Sequence, residues 1–379
     1  MPDAPVNVLL IAGRYEVRGA WTYTMGLAEH LGQYGFEPTI LCPEAQLLDA
    51  VDRSRLRITE CRHLQIPVWG KVVTRLLGRE WSNQPPQFIH IQSRKLLATG
   101  VQLARQWNRP CLLTIHDYLS SREKLMVDPS ICRRIIAVSE SVRKELLSHA
   151  FYPPEQIVEI PVGVDLPPPA DVHPILDPER VPVVGMVGPL EELKGIPYFL
   201  GAARKVLTMY GDVEFLIAGA GPEEENLRRL AQSLQIADHV TFAPNLNDVA
   251  PSLDAIDVFC LPSLMQGAGT IMLEAMALGK AVIAANVGGV HAAVKHNETG
   301  ILVSPGESGE LATQIVELLK HPGQARQLGQ RARQLVETRF GTEHMVKQTA
   351  ELYREILQET DRAASPSAKS TAVPAIPSR

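Results

Sequence analysis

Three glycine-bearing turns follow apolar, β-branched runs in the second half of the chain: Val187-Gly188-Pro189 leading to Lys194-Gly195, Gly219-Ala220-Gly221-Pro222, and Gln266-Gly267-Ala268-Gly269-Thr270. Glycine lets the backbone approach a ligand closely, and the N–H groups that open a following helix face an anion. Such turns suit a diphosphate, with Lys194 as the cation that neutralises it. Glu274 is a lone carboxylate in the otherwise apolar stretch 270–278, where burial demands a partner. His116 closes another apolar run, and a neutral imidazole there can donate or accept near a reacting group. Each also has a plainer reading: a solvated lysine, an internal ion pair, a strand-end cap, tight turns. Competing chemistries lack their motifs. The chain has no Gly-x-x-x-x-Gly-Lys-Ser/Thr, no complete Gly-x-Gly-x-x-Gly after its first strand, no His-Glu-x-x-His and no Gly-x-Ser-x-Gly. P-loop, NAD-dependent, metalloprotease and serine-hydrolase readings lose support accordingly.

These residues need elements to place them. The run 6–13 is apolar and ends in glycine, as a strand buried on both faces does. After it, 19–34 sets Trp21, Met25, Ala28 and Leu31 at helical spacing, with Gly35 as a stop. Strand and helix patterns keep alternating at 38–42, 88–91, 96–107, 111–115, 134–138 and 157–161, which predicts a parallel sheet between helices. Ser139 reads as a helix N-cap. The segment 165–182 is too rich in proline for a helix or a central strand and marks a domain joint. Beyond it, strands are expected at 183–187, 213–218, 240–243, 258–262, 281–285 and 301–303, then helical stretches at 311–320, 323–340 and 342–358. The expected organisation is α/β, with two tandem doubly wound domains at 1–170 and 181–340. Helix 342–358 should join the first domain, and 361–379, poor in large apolar residues, should be a disordered tail. The ligand crevice should lie between the carboxyl ends of both sheets.

The same turns resemble those of the retaining glycosyltransferases of family four, which have the GT-B fold of two Rossmann-like domains. The resemblance covers nearly the whole ordered chain. It rests on Val187-Gly188 followed by Lys194-Gly195, on Gly219-x-Gly221-Pro222, and on the stretch 257–289, DVFCLPSLMQGAGTIMLEAMALGKAVIAANVGG. Ala137-Val138-Ser139-Glu140, Ile160-Pro161-x-Gly163-Val164-Asp165, His116-Asp117 and Asn297-Glu298-Thr299-Gly300 match as well. The resemblance implies a nucleotide-diphosphate sugar as donor substrate, no separate cofactor and no metal. It also implies a glycan, lipid-linked or small-molecule acceptor held before Asp165, as in polysaccharide biosynthesis. A hexose would move with retention, the donor phosphate itself taking the acceptor proton. Lys194 and the backbone at Gly267, Ala268, Gly269 and Thr270, with Gly188, Gly219 and Gly221, are implied to hold the diphosphate. Glu274 would accept from the ribose hydroxyls, Gln266 would touch the sugar, His116 would meet the reacting centre, and Gly19 would face the phosphate or acceptor. Four positions depart from the family pattern. Gln266 stands where Glu is usual, Pro189 where Arg is, Val162 where Asn is, and Arg18-Gly19 replaces a glycine pair. Two other functions stay open: a catalytically impaired relative that binds sugar nucleotides or glycans, and a GT-B sugar-nucleotide epimerase.

Composition narrows the setting. The 379 residues are 45% hydrophobic and 21% charged, with 37 basic and 42 acidic side chains, so no global polycation awaits nucleic acid. Length alone suggests two domains, each able to bury a core. Five scattered cysteines without a Cys-x-x-Cys argue for reduced cytosol rather than disulfides or structural zinc. No apolar run approaches the roughly 18 residues of a membrane span. One asymmetry stands apart from the family. Residues 53–109 hold eleven Lys or Arg against Glu60 and Glu80, or +9; with −5 overall, the remainder carries −14. Within them, 68–77 mixes Trp69, Val72, Val73, Leu76 and Leu77 with Lys71 and Arg75, the pattern of a basic amphipathic helix. The expected location is cytoplasmic, with peripheral contact to an anionic membrane through 53–109.

Overall fold

The computed structural model describes residues 4–15, 20–46, 48, 50–66, 68–119, 125, 127–149, 152–168, 172–244, 249–267 and 269–364. Gly19 and Ala268, together with residues 365–379 of the expected tail, lie outside them. In the first half, β1 (Val6–Ile11), β2 (Phe36–Cys42), β3 (Ile58–Glu60), β4 (Phe88–Ile91), β5 (Cys111–Ile115), β6 (Cys132–Ala137) and β7 (Ile157–Glu159) form one sheet. Its order is β3-β2-β1-β4-β5-β6-β7, with every pair parallel. Helices α1 (Ala20–His30), α2 (Ala50–Arg55), α3 (Trp69–Glu80), α4 (Leu97–Trp107) and α5 (Glu140–Ser148) connect the strands. Burial of both sheet faces is why β4 and β5 are sheltered at every position. Pro38 is tolerated inside β2 because pairing with β3 begins only at Ile40 opposite Ile58, so no partner strand waits for its missing N–H. Ser139 caps α5, its Oγ accepting from Val142 N at 3.3 Å.

The second half repeats the scheme. Strands β8 (Val183–Val187), β9 (Glu214–Ala218), β10 (Val240–Ala243), β11 (Val258–Leu261), β12 (Ala281–Ala285) and β13 (Ile301–Val303) are parallel in the order β10-β9-β8-β11-β12-β13. Their helices are α6 (Ile196–Met209), α7 (Glu224–Ser233), α8 (Ala250–Ala255), α9 (Thr270–Ala277), α10 (Ser308–Lys320) and α11 (Pro322–Leu335). Strand order reverses between β1 and β4 and again between β8 and β11. Such reversals open a crevice at the carboxyl ends of the strands.

Three expectations need correction. The stretch 323–340 is not one helix: α11 stops at Leu335, a π-helical turn Val336–Phe340 buries Val336 and Phe340, and Gly341 is extended. Helix α12 (Thr342–Ala364) runs past 358, so Asp361 to Ala364 are helical rather than disordered. Alanine-rich ends cost little to hold in a helix, even without an apolar face to bury. The segment 43–87, given no strand from its sequence, contains β3. A three-residue edge strand has no apolar run to announce it.

Helix α12 returns to the first sheet. The Tyr353 ring lies 4.6 Å from that of Phe88 and 5.3 Å from that of Phe36, while Glu359 pairs with Arg134 at 2.5 Å. The chain therefore crosses between its halves twice, once through 165–182 and once at Gly341, and the two crossings touch. Val164 N donates to Phe340 O at 2.8 Å, and Thr342 N donates to Val164 O at 3.1 Å.

Candidate functional site

The carboxyl ends of β8, β9 and β11 bring the predicted glycine turns together. Gly188 N donates to Ala218 O at 2.9 Å and Leu190 N to Ala220 O at 3.0 Å, which zips the loop after β8 to the turn after β9. A Cβ on Gly219 would collide with the Gly188 carbonyl, and one on Gly221 with that of Leu190, so these backbones touch because side chains are absent. Past Leu190 the chain makes a 3-10 turn, Glu192–Lys194, that ends at Gly195 (φ +67°) and opens α6. Leu264 N donates to Leu193 O at 2.8 Å, tying this turn to the segment after β11. Half-buried Lys194 thus stands beside the positive end of α6, close to the exit of β11.

The segment after β11 leads to a second helix start. Gly269 (φ +67°) is the N-cap of α9, whose first turn carries no acid, so its N–H groups present uncompensated positive dipole. Gln266 is fixed at three points. Its Oε1 accepts from Ser263 Oγ at 3.1 Å, its carbonyl accepts from Gly289 N at 3.1 Å, and Gly288 presses on that carbonyl with no room for a Cβ. Thr270 and Glu274 are half-buried on α9. Among the described residues, this half therefore sets two helix N-termini and half-buried Lys194 beside the turns after β8 and β11, with the Glu274 carboxylate one turn into α9.

The first sheet supplies the opposite wall. His116 follows β5, its ring edge-on to Tyr23 at 5.3 Å. Its Nε2 lies 3.1 Å from Gln92 Oε1, an atom that only accepts, so Nε2 carries the proton and Nδ1 keeps a lone pair. Gln92 is itself buried against His90, whose ring bonds Tyr353 Oη at 2.5 Å and Thr114 Oγ1 at 2.6 Å. Burial, aided by the nearby Arg94 guanidinium, pushes the His116 pKa down to about 3. The ring is neutral across the physiological range and offers Nδ1 as a hydrogen-bond acceptor.

Both walls meet. A Cβ built on Gly267 would stand 3.1 Å from Asp117 Oδ1 and 3.7 Å from His116 O, and one on Gly288 would stand 2.9 Å from Tyr118 Oη. Deeper in, Val162 lines a small cleft with Val138, Leu273, Gly289, Ala293 and Phe340. Of the residues predicted for the site, Gly188, Gly219 and Gly221 meet through the paired turns after β8 and β9, the turn that holds Lys194 is bonded to the segment after β11, and Gly267 comes within reach of Asp117 and the His116 carbonyl, while Gly269, Thr270 and Glu274 lie at and just inside the start of α9. Sequence reasoning missed Gln92 and Arg94, which follow β4. In the sequence Arg94 is one cation of the basic stretch 53–109, and Gln92 carries no local signal.

Residues 17–167 match the model of Glycosyltransferase Family 4, and residues 171–335 match that of Glycosyl transferases group 1. The chain belongs to glycosyltransferase family four. A D-inositol 3-phosphate glycosyltransferase of Rhodococcus jostii is 32% identical over 320 residues, 74% of this chain and 70% of that protein. An uncharacterised glycosyltransferase of Haemophilus influenzae is 34% identical over 163 residues, 43% of this chain and a little under half, 46%, of that relative. Among solved structures, Anabaena Alr3699/HepE in complex with UDP and glucose superposes with a TM-score of 0.75 over 92% of this chain and 100% of that one. At 19% identity the likeness is one of fold, and that fold is GT-B. For this family-four chain, Gly267 and Gly288, after β11 and β12, sit where the two Rossmann-like domains face each other.

Proposed function

We propose that this family-four protein transfers a hexose from a nucleotide-diphosphate sugar to a glycan, lipid-linked or small-molecule acceptor, with retention of configuration. The observation that carries the reading is the meeting of Gly267 with His116 and Asp117, which sets an anion cradle against a neutral histidine. In this reading Lys194 and the N–H groups that open α6 and α9 take the diphosphate, and the glycines at 188, 219 and 221 let it reach the backbone. Glu274 accepts from ribose, Gln266 from the sugar, and His116 lies over the reacting carbon. The bond from the anomeric carbon to the diphosphate breaks, the acceptor oxygen bonds to the same face, and its proton leaves on the donor phosphate. The protein positions the partners and stabilises the departing charge. Support for the donor comes from the fold neighbour crystallised with UDP and glucose, and for a small acceptor from the relative named for D-inositol 3-phosphate. We place the protein in the cytoplasm, where its five free cysteines stay reduced.

A thermal-shift panel of UDP-, GDP- and ADP-sugars tests the reading, since a ligand bound only by the folded state raises Tm. One class should do so in wild type and much less in Lys194→Ala. No shift with any nucleotide, with no heat by calorimetry, would sink it. A second reading rests on Gln266 and Pro189: an uncharged amide held by Ser263 where the family has a carboxylate, and one cation fewer. It predicts donor binding without turnover, with activity gained in Gln266→Glu. Interconversion of pure UDP-sugars without acceptor would point instead to an epimerase.

A further inference from the structure

Helix α3 has one face more than its packing uses. Gly70, Thr74 and Gly78 are buried on its inner side, where Trp107 Nε1 donates to Gly78 O at 2.9 Å and Thr74 meets Thr99 across α4. The outer side carries two adjacent rows. Trp69, Val72 and Leu76 are 64%, 45% and 56% exposed, and Lys71, Arg75 and Arg79 run beside them at four-residue spacing. Ile66 and Val68 extend the apolar row into the preceding loop. Of the thirteen large hydrophobic side chains exposed among the described residues, these five fall within eleven residues, so the exposure is a patch rather than scatter. Val68 adopts φ +68°, a conformation a β-branched residue rarely takes, while its side chain stays in solvent. Among the described residues, no ion pair engages Lys71, Arg75 or Arg79. Residues 61–66 and the start of α3 follow the carboxyl end of β3, so the patch begins on the crevice side of the first sheet.

We propose that this face docks on an anionic lipid bilayer, with Trp69, Val72 and Leu76 entering the headgroup boundary and Lys71, Arg75 and Arg79 meeting lipid phosphates. Charge complementarity selects this occupant: the segment 53–109 carries +9 in a chain of −5, and three of its cations, Lys71, Arg75 and Arg79, line this exposed face. Docking there leaves the crevice side of the first sheet at the membrane, within reach of an acceptor that sits in it. This goes beyond glycosyl transfer and does not depend on it, since vesicle binding is read without donor.

The test is co-sedimentation of the full chain with phosphatidylcholine vesicles, with and without about one third phosphatidylglycerol, at low and high salt. Anionic vesicles should bind at least about tenfold tighter than neutral ones, and salt should weaken the binding. The triple variant Lys71→Glu/Arg75→Glu/Arg79→Glu should lose it. Trp69 is the exposed one of four tryptophans, so emission should shift to the blue on binding in wild type and not in Trp69→Phe. Because all these side chains are exposed, Tm should hold; should the triple variant melt early, Lys71→Gln/Arg75→Gln replaces it. Equal binding to both vesicles, binding that survives charge removal, or unchanged Trp69 emission each overturns the proposal. So does a dimer on size exclusion that Leu76→Glu dissolves, which would make a second copy the occupant.

Discussion

His116 has its proton already placed. With Nε2–H given to Gln92 and the ring's pKa held near 3, it does not ionise between about pH 5 and 8. A pH–rate profile for transfer should therefore show no limb attributable to His116 in that window, and His116→Gln should lower kcat without shifting the profile. The same shift has a stability consequence of definite sign. The unfolded histidine, with its pKa near 6.5, binds more protons than the folded one over the interval between about 3 and 6.5. Its contribution is complete above that interval and is lost as pH falls through it. His90, fully buried and likewise held neutral, acts in the same direction. Tm should drop between pH 7 and 5, and drop less steeply in His116→Gln; a flat wild-type Tm would refute the assignment. Lys194 acts differently. Half-buried and in no ion pair among the described residues, it contributes little to folding, so Lys194→Ala should keep Tm while cutting kcat/KM by about 10²–10³, the usual cost of a lost oxyanion donor.

The turns owe their shapes to backbone contacts that forbid a side chain. Gly195 combines φ +67° with a Cβ position occupied by the Pro262 carbonyl, so Gly195→Ala must shift the 3-10 turn that holds Lys194 or the exit of β11. We expect about 1–3 kcal/mol of destabilisation by denaturant unfolding, with weaker donor binding by calorimetry. Gly211→Ala is the control: φ +93°, with nothing near its Cβ position, so it strains the backbone alone and leaves donor affinity unchanged. Equal loss of affinity in both would mean that the turn does not position the cation. These turns were legible in the sequence because glycine at a strand end is a local signal, and the strands were legible because burial on both faces leaves continuous apolar runs. The partners of His116 were not. Gln92 and Arg94 lie more than twenty residues away and reach it only because β4 pairs with β5. Likewise β3 is an edge strand too short for a pattern, and the end of α12 has too few large apolar residues to separate helix from tail.

Two sheets and one returning helix make a single cooperative body. The main apolar core is continuous: Val8 and Leu10 of β1, Phe259 of β11, Val282 of β12, and Val346, Ala350 and Tyr353 of α12 belong to one packed cluster. Tyr353 is the keystone on the first side, packed on Phe36 and Phe88 and bonded to His90, yet it is carried by chain that has already passed through the second domain. The two crossings are hydrogen-bonded to each other, Val164 bonding to both Phe340 and Thr342 on either side of Gly341. Were the domains independent, calorimetry would show two melting transitions, and a substitution in α12 would move only the first domain's. A shared core predicts one transition, moved as a whole. Tyr353→Ala should cost about 3–5 kcal/mol, the range for removing a fully buried aromatic ring, plus the unpaired His90 it leaves behind. The Tm of the entire protein should fall in one step, with the donor-induced shift in Tm preserved in what remains folded. A second peak that stays at the wild-type temperature in Tyr353→Ala would show that α12 straps a separable domain rather than completing a common core.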